Sequence, residues 1–154
     1  MVEESLLKKT EDISRFLFKG DYDSYLNVKG KAFTPAKNAI AVSVYRIGEL
    51  EIEGKLASAL EESNTWQIAD EKIAVRDHKG AVTARTDFKV QHVFDSDSNL
   101  IVIEHREDHQ RHAHIQPFPI LKDGASDEES RQFYKERETL RNKLAKGLIA
   151  TVRQ

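Results

Sequence analysis

The stretch VTARTDFKVQHVF, residues 82–94, places Val82, Ala84, Thr86, Phe88, Val90, His92 and Phe94 at even positions, with Thr83, Arg85, Asp87, Lys89 and Gln91 between them. Side chains of a strand point alternately to opposite faces, so this spacing predicts a strand with one buried and one wet face. DSDSN (95–99) follows as a turn, and LIVIEH (100–105) is a continuous apolar run short enough for a central strand. The two segments are predicted to pair as a hairpin. Beyond them, RHAHIQ (111–116) reads as a further strand, and REDHQ (106–110) closes a second hairpin with His105 roughly opposite His112.

On the C-terminal side, the two prolines of QPFPILKDGAS (116–126) forbid a regular interior strand. SDEES (126–130) opens a helix, with Ser126 as N-cap and Glu129 three residues on. That helix is expected to carry Phe133, Leu140, Leu144, Leu148 and Val152 on one stripe. On the N-terminal side, AIAVSVYRI (39–47) reads as a strand with Ile40, Val42, Val44 and Arg46 on one side. ELEIEGKLASALEESNTWQIADEKIA (49–74) is rich in helix formers and predicts one broken helix or two short ones. Leu6, Ile13, Phe16 and Leu17 share a helical stripe that stops at Lys19-Gly20, predicting a first short helix. The expected fold is α+β: an antiparallel sheet of roughly three to five strands covered by N-terminal, middle and C-terminal helices in one domain, residues 1–154.

The chain has 154 residues, enough to bury roughly 70% of its unfolded surface around a single core. Hydrophobic residues make up 39% and charged residues 32%, and 24 basic and 26 acidic side chains give a formal net charge of -2. Mixed charge without a basic run argues against nucleic acid as a partner. There is no cysteine, which excludes disulfides, thiolate metal sites and cysteine nucleophiles. No apolar run approaches the ~20 residues of a membrane span, and MVEESLLKKTEDISRF lacks the layout of a signal peptide, so a cytoplasmic location without membrane partners is the expectation.

The chemistry, if any, lies in EHREDHQRHAHI (104–115), which holds four of the six histidines. His112, His114 and Gln116 alternate with Ala113 and Ile115, so both imidazoles should project from one side while the apolar pair faces the core. His105, His112 and His114, with a carboxylate from Glu104, Glu107 or Asp108, form a candidate set for a divalent metal such as Zn²⁺, Fe²⁺ or Mn²⁺. The same three residues are candidates for acid-base catalysis, because an unperturbed histidine pKa near ~6.5 suits proton transfer. Arg46, Arg85 and Arg111 are candidates for holding an anion beside them. A solvated hairpin tip accounts for the same histidines without chemistry, with His109 supplying only polarity. Ion pairs to Asp87 or Glu104 equally account for Arg46 and Arg85. His92, alone on an apolar face, reads as a hydrogen-bonded structural residue, His78 falls in the turn RDHKG, and Trp66 reads as core.

The words SVYR (43–46), ARTDF (84–88) and RHAHI (111–115) resemble those that small bacterial proteins of unassigned function carry in the same order. The resemblance covers mainly residues 39–120, and it implies a bacterial origin and no activity. Nucleophile elbows, Gly-rich phosphate loops and Cys/His metal frames are absent, so the leading expectation is a non-enzymatic binding or accessory protein with a protein partner and no cofactor. Self-association stays open. The alternative is a small hydrolase of a phosphodiester or nucleotide that uses the histidines, with or without a divalent metal. Convergence of the histidines with the arginines in one cleft would favour the hydrolase.

Overall fold

In a computed structural model that describes residues 5–36, 39–73, 80–107 and 109–154, the chain forms an α+β fold around an antiparallel sheet. The strands are β1 (Asp12–Phe18), β2 (Val42–Arg46), β3 (Leu50–Ile52), β4 (Lys55–Ala57), β5 (Val82–Lys89), β6 (Ile101–Glu104), β7 (His112–Gln116) and β8 (Thr151–Val152). The helices are α1 (Glu62–Ile73), α2 (Val90–Ser96) and α3 (Asp127–Ala145), with a 3-10 turn at Gly30–Phe33. Six strands make the main sheet in the order β6-β7-β2-β1-β5-β8, every neighbouring pair antiparallel, and β3 and β4 form a separate hairpin. The sheet thus has one strand more than the upper end of the expected range.

Four expectations are corrected. The first element is a strand, because its Ile13 and Leu17 enter the core on one face while Ser14 and Phe16 are buried on the other. A strand covered on both faces reads as a nearly continuous apolar run and mimics a helical stripe. The middle segment begins with the β3-β4 hairpin, whose turn residues Glu53 and Gly54 take positive φ of 52° and 78°, and only then becomes helix. Both values suit the tight turn that matches strand twist. The strand from Val82 stops at Lys89, because Val90 and Val93, three apart, are both buried in α2 against the core. Its expected hairpin with residues 100–105 does not form, since β5 pairs with β1 and β8 while β6 pairs with β7.

The last helix starts where expected, with Ser126 and Glu129 making a reciprocal capping box. Its stripe ends sooner. Leu144 and Ala145 are buried at its C-terminal end, Leu148 lies beyond it, and Val152 belongs to edge strand β8. This end of α3 is its most deeply buried part, packed against α2 and the 3-10 turn, where Gly30 lets the turn approach, and Arg137 and Arg141 extend the contact to Pro35 and Thr34. A Cβ added at Gly30 would overlap the Asn142 side chain and stand 3.2 Å from its backbone nitrogen.

The alternation of each strand divides the sheet into two faces. Ile13, Leu17, Val42, Val44, Ala84, Val102, Ala113 and Ile115 form the main core under α2 and α3. Phe16 and Tyr45 face the other way, against Trp66, Ile68 and Ala69 of α1. Strands β1 and β2 pair only at Ile13 with Arg46 and Ser14 with Tyr45. Past Ser14 they separate, and the Arg15 guanidinium spans the gap, Nη1 donating to the Ser43 carbonyl at 2.8 Å and Nε to the Ala32 carbonyl at 3.0 Å. A side chain thereby satisfies the Ser43 carbonyl, which a continuous ladder would otherwise have served, and ties the strand to the 3-10 turn through Ala32. Among the described residues no helix is long and apolar enough to cross a membrane.

Candidate functional site

The β6-β7 hairpin brings the three candidate histidines together on the face that carries Tyr45. His112 lies opposite Tyr45, His114 lies between Ser43 and Ile103, and the His105 backbone N–H donates to the His112 carbonyl at 2.8 Å. This register aligns residues 103, 105, 112 and 114 on one face, because side chains two apart on a strand project the same way. Ala113 and Ile115 between them are fully buried on the opposite face.

The rings form a compact cluster. His105 stacks on His114 with centroids 4.1 Å apart and 23° between planes, and the His112 ring stands edge-on to both, at 5.1 Å from His105 and 4.8 Å from His114. Nδ1 of His105 lies 3.3 Å from Nδ1 of His112. One candidate ligand atom from each of the three histidines lies within 4.8 Å of the others. His112 is 2% exposed and stacks on Tyr45 at 5.3 Å, and Tyr45 in turn meets Phe16 at 4.9 Å. Tyr45 therefore marks the boundary between the aromatic core under α1 and the imidazole cluster.

The fourth histidine of the segment is also ordered by contacts. His109 is half-buried, its Nδ1 accepts from the Arg111 backbone N–H at 3.0 Å, and its ring meets Tyr45 edge-on at 6.3 Å. It holds the turn together and stands outside the three-ring set. Among the candidate carboxylates, Glu104 projects to the other face, Glu107 Oε2 lies 3.8 Å from His105 Nε2 with its side chain 87% exposed, and Asp108 lies outside the described residues.

None of the three arginines expected to hold an anion lines the cleft beside the histidines. Arg46 binds Glu11 through Nη2 at 2.7 Å and Glu104 through Nη1 at 3.1 Å, and Arg106 adds a contact to Glu104 at 2.9 Å. Burial raises the Glu104 carboxyl, but hydrogen bonds from Arg106 and Ser5 and the charges of Arg106 and Arg46 outweigh it, so its pKa lies below the ordinary value. Arg85 pairs with Asp87 at 3.3 Å and lies 5.2 Å over the Trp66 ring, which Arg153 approaches at the same distance. Arg111 is 5% exposed and donates to the carbonyls of Arg46, Gly48 and Ser58 at 2.9, 2.8 and 2.8 Å. Burial first, then the charge of Arg46, lowers its pKa. His92 Nε2 lies 2.6 Å from the Leu144 carbonyl and its ring packs edge-on to Phe88, the geometry of a structural histidine. Trp66 is buried in the smaller core, and His78 lies outside the described residues.

What sequence reasoning missed is the cleft itself. Where β1 and β2 separate, a space of about 720 Å³ opens beside His105 and His114, bordered by Arg15, Phe16, Phe18, Lys31, Ser43 and Gln116 among others. Arg15, a charge within the apolar run DISRFLF, was the one local signal that this strand does something besides fill a sheet. Scans against family models, curated proteins and solved structures find no match to this chain.

Proposed function

We propose that the protein binds a divalent transition-metal ion, with Zn²⁺ the first choice, on His105, His112 and His114, and presents it to a ligand entering the cleft. The observation that carries this reading is the 3.3 Å hydrogen bond between Nδ1 of His105 and Nδ1 of His112, where an ion would take the place of the shared proton. Two imidazoles on a tetrahedral ion with bonds of ~2.0–2.1 Å hold their nitrogens about 3.3 Å apart. With both Nδ1 atoms directed at an ion, the His105 proton would sit on Nε2, 3.8 Å from the Glu107 carboxylate, which would have to move closer to serve as its outer partner. Three protein ligands leave a position open, as binding and catalytic sites do and closed structural sites do not.

A second reading, hydrolysis at the open position, is favoured by one observation: His105 and His114 border the cleft, which puts that position within reach of a substrate. We place the non-enzymatic form first, in line with the sequence-based expectation, and add to it a metal that the leading expectation did not include. Calorimetric titration of the untagged protein with Zn²⁺ and Co²⁺, with metal content by mass spectrometry, is expected to give one ion per chain. His112→Ala and His114→Ala should abolish one-to-one binding, whereas His109→Ala should retain it. Wild-type affinity weaker than about 100 μM would overturn the proposal.

A further inference from the structure

We infer that the cleft takes a small organic anion with an apolar body, its charged oxygens on the metal and its body against Phe16 and Phe18; this rests on the metal reading above. Size comes first. About 720 Å³ falls in the ~300–1,000 Å³ range of small-molecule sites, and a pocket of that volume encloses most of a compact ligand.

Charge comes second. Three neutral imidazoles leave the ion's two positive charges uncompensated, so its open position favours an anionic oxygen. The cleft border adds Arg15 and Lys31, and Asp21 is its only acidic residue among those described. The Asp21 Oδ2 atom is already engaged, accepting from the Phe18 backbone N–H at 2.8 Å. The Arg15 guanidinium is engaged by the carbonyls of Ala32 and Ser43, so what it adds to the cleft is a fixed positive charge. A chain of formal charge -2 thus carries a locally basic cleft.

Shape comes third. Phe16, Phe18 and Ile40 border the same space. They give a ligand's non-polar portion somewhere to leave water, which an inorganic anion does not use. The two requirements lie at different places around one opening: the imidazoles belong to the β6-β7 hairpin, and the phenyl rings to β1.

The test uses full-length protein loaded with Co²⁺, whose visible spectrum reports a change of ligand at the open position. Hexanoate, acetate, hexanol and phenyl phosphate are titrated in turn. Hexanoate and phenyl phosphate should shift the spectrum saturably, hexanoate at least about 10-fold more tightly than acetate, since its four further methylenes leave water in part against the apolar border. Hexanol should leave the spectrum unchanged. Lys31→Ala, at an exposed position, should weaken both anions by about 5-fold, the size of an ordinary charge contact, without altering Co²⁺ affinity. Comparison of hexanoate with phenyl phosphate tells a carboxylate site from a phosphoryl site. Co²⁺ binding with no response to any anion, equal binding of acetate and hexanoate, or a hexanol response equal to that of hexanoate would overturn this inference while leaving the metal reading intact. Failure to bind Co²⁺ would overturn both.

Discussion

Replacing Arg111 tests how the histidine hairpin is held to the rest of the fold. Its guanidinium extends from the residue just before β7 and donates to three carbonyls, one at the end of β2 (Arg46), one in the turn that follows (Gly48) and one after the β3-β4 hairpin (Ser58). In Arg111→Met the hydrocarbon stem is kept and all three bonds are lost. Hydrogen bonds from a charged donor contribute about 1.5–3 kcal/mol each. Full addition is not expected, because water reaches the exposed Ser58, and burying the guanidinium has its own cost, visible in the lowered pKa. A net loss of about 3 kcal/mol in urea denaturation is therefore expected, comparable to breaking other buried ionic groups. Arg111→Lys should recover less than half, since a single ammonium cannot reproduce the planar fork. Hydrogen exchange should quicken at Leu60, whose N–H donates to Ile47 in the same tie. A loss below about 1 kcal/mol, within the range of an ordinary surface substitution, would refute the view that Arg111 anchors the hairpin.

Leu144→Ala should cost about 2–5 kcal/mol in the same assay, because Leu144 is fully buried, whereas Phe133→Ala, at a half-buried position nearer the start of α3, should cost less. Equal costs would mean that α3 docks along its whole length. Gly30→Ala should destabilise by about 1–3 kcal/mol through the clash with Asn142, and Asn142→Ala should relieve part of it in the double variant. Glu104 and Asp70 both have pKa values below the ordinary 4.5 and 3.8, for Asp70 chiefly through its hydrogen bonds from Arg153. Their contribution is present above those unfolded values and is lost as pH falls through the lower folded ones, so Glu104→Gln should flatten the acid limb of a stability-pH curve below about pH 4.5. An unchanged limb would show that Glu104 does not contribute.

Much of the site's local geometry was legible in the sequence, and little of its surroundings was. The alternation of His112 and His114 with Ala113 and Ile115 correctly placed two imidazoles on one side, and the spacing of REDHQ set His105 opposite His112. The Ser126 and Glu129 box was likewise readable, because capping depends on residues three apart. Strand β1 was misread because both its faces are covered, which erases alternation. The change from β5 to α2 was hidden because Val90, His92 and Phe94 continue the period of two while Val90 and Val93 satisfy the helical one. The cleft joins Arg15, Lys31, His105 and His114, distant in sequence and brought together only by a strand order that no local pattern encodes. Arg111 looked available for an anion because a sequence does not display carbonyl acceptors such as those of Gly48 and Ser58, whereas the ion pairs of Arg46 with Glu104 and of Arg85 with Asp87 were the alternative that the residue types themselves offered.

The short pairing between β1 and β2 gives the molecule a mechanical seam. Two residue pairs join β1 to β2, Ile13 with Arg46 and Ser14 with Tyr45, and the Arg46–Glu11 ion pair closes that same end of the junction. The imidazoles stand on the β2 side of it and Phe16 and Phe18 on the β1 side, so the gap between the two strands sets the width of the cleft. Arg15 bridges that gap through the Ser43 carbonyl, and an Arg15→Ala substitution would remove the side chain that ties its two sides together.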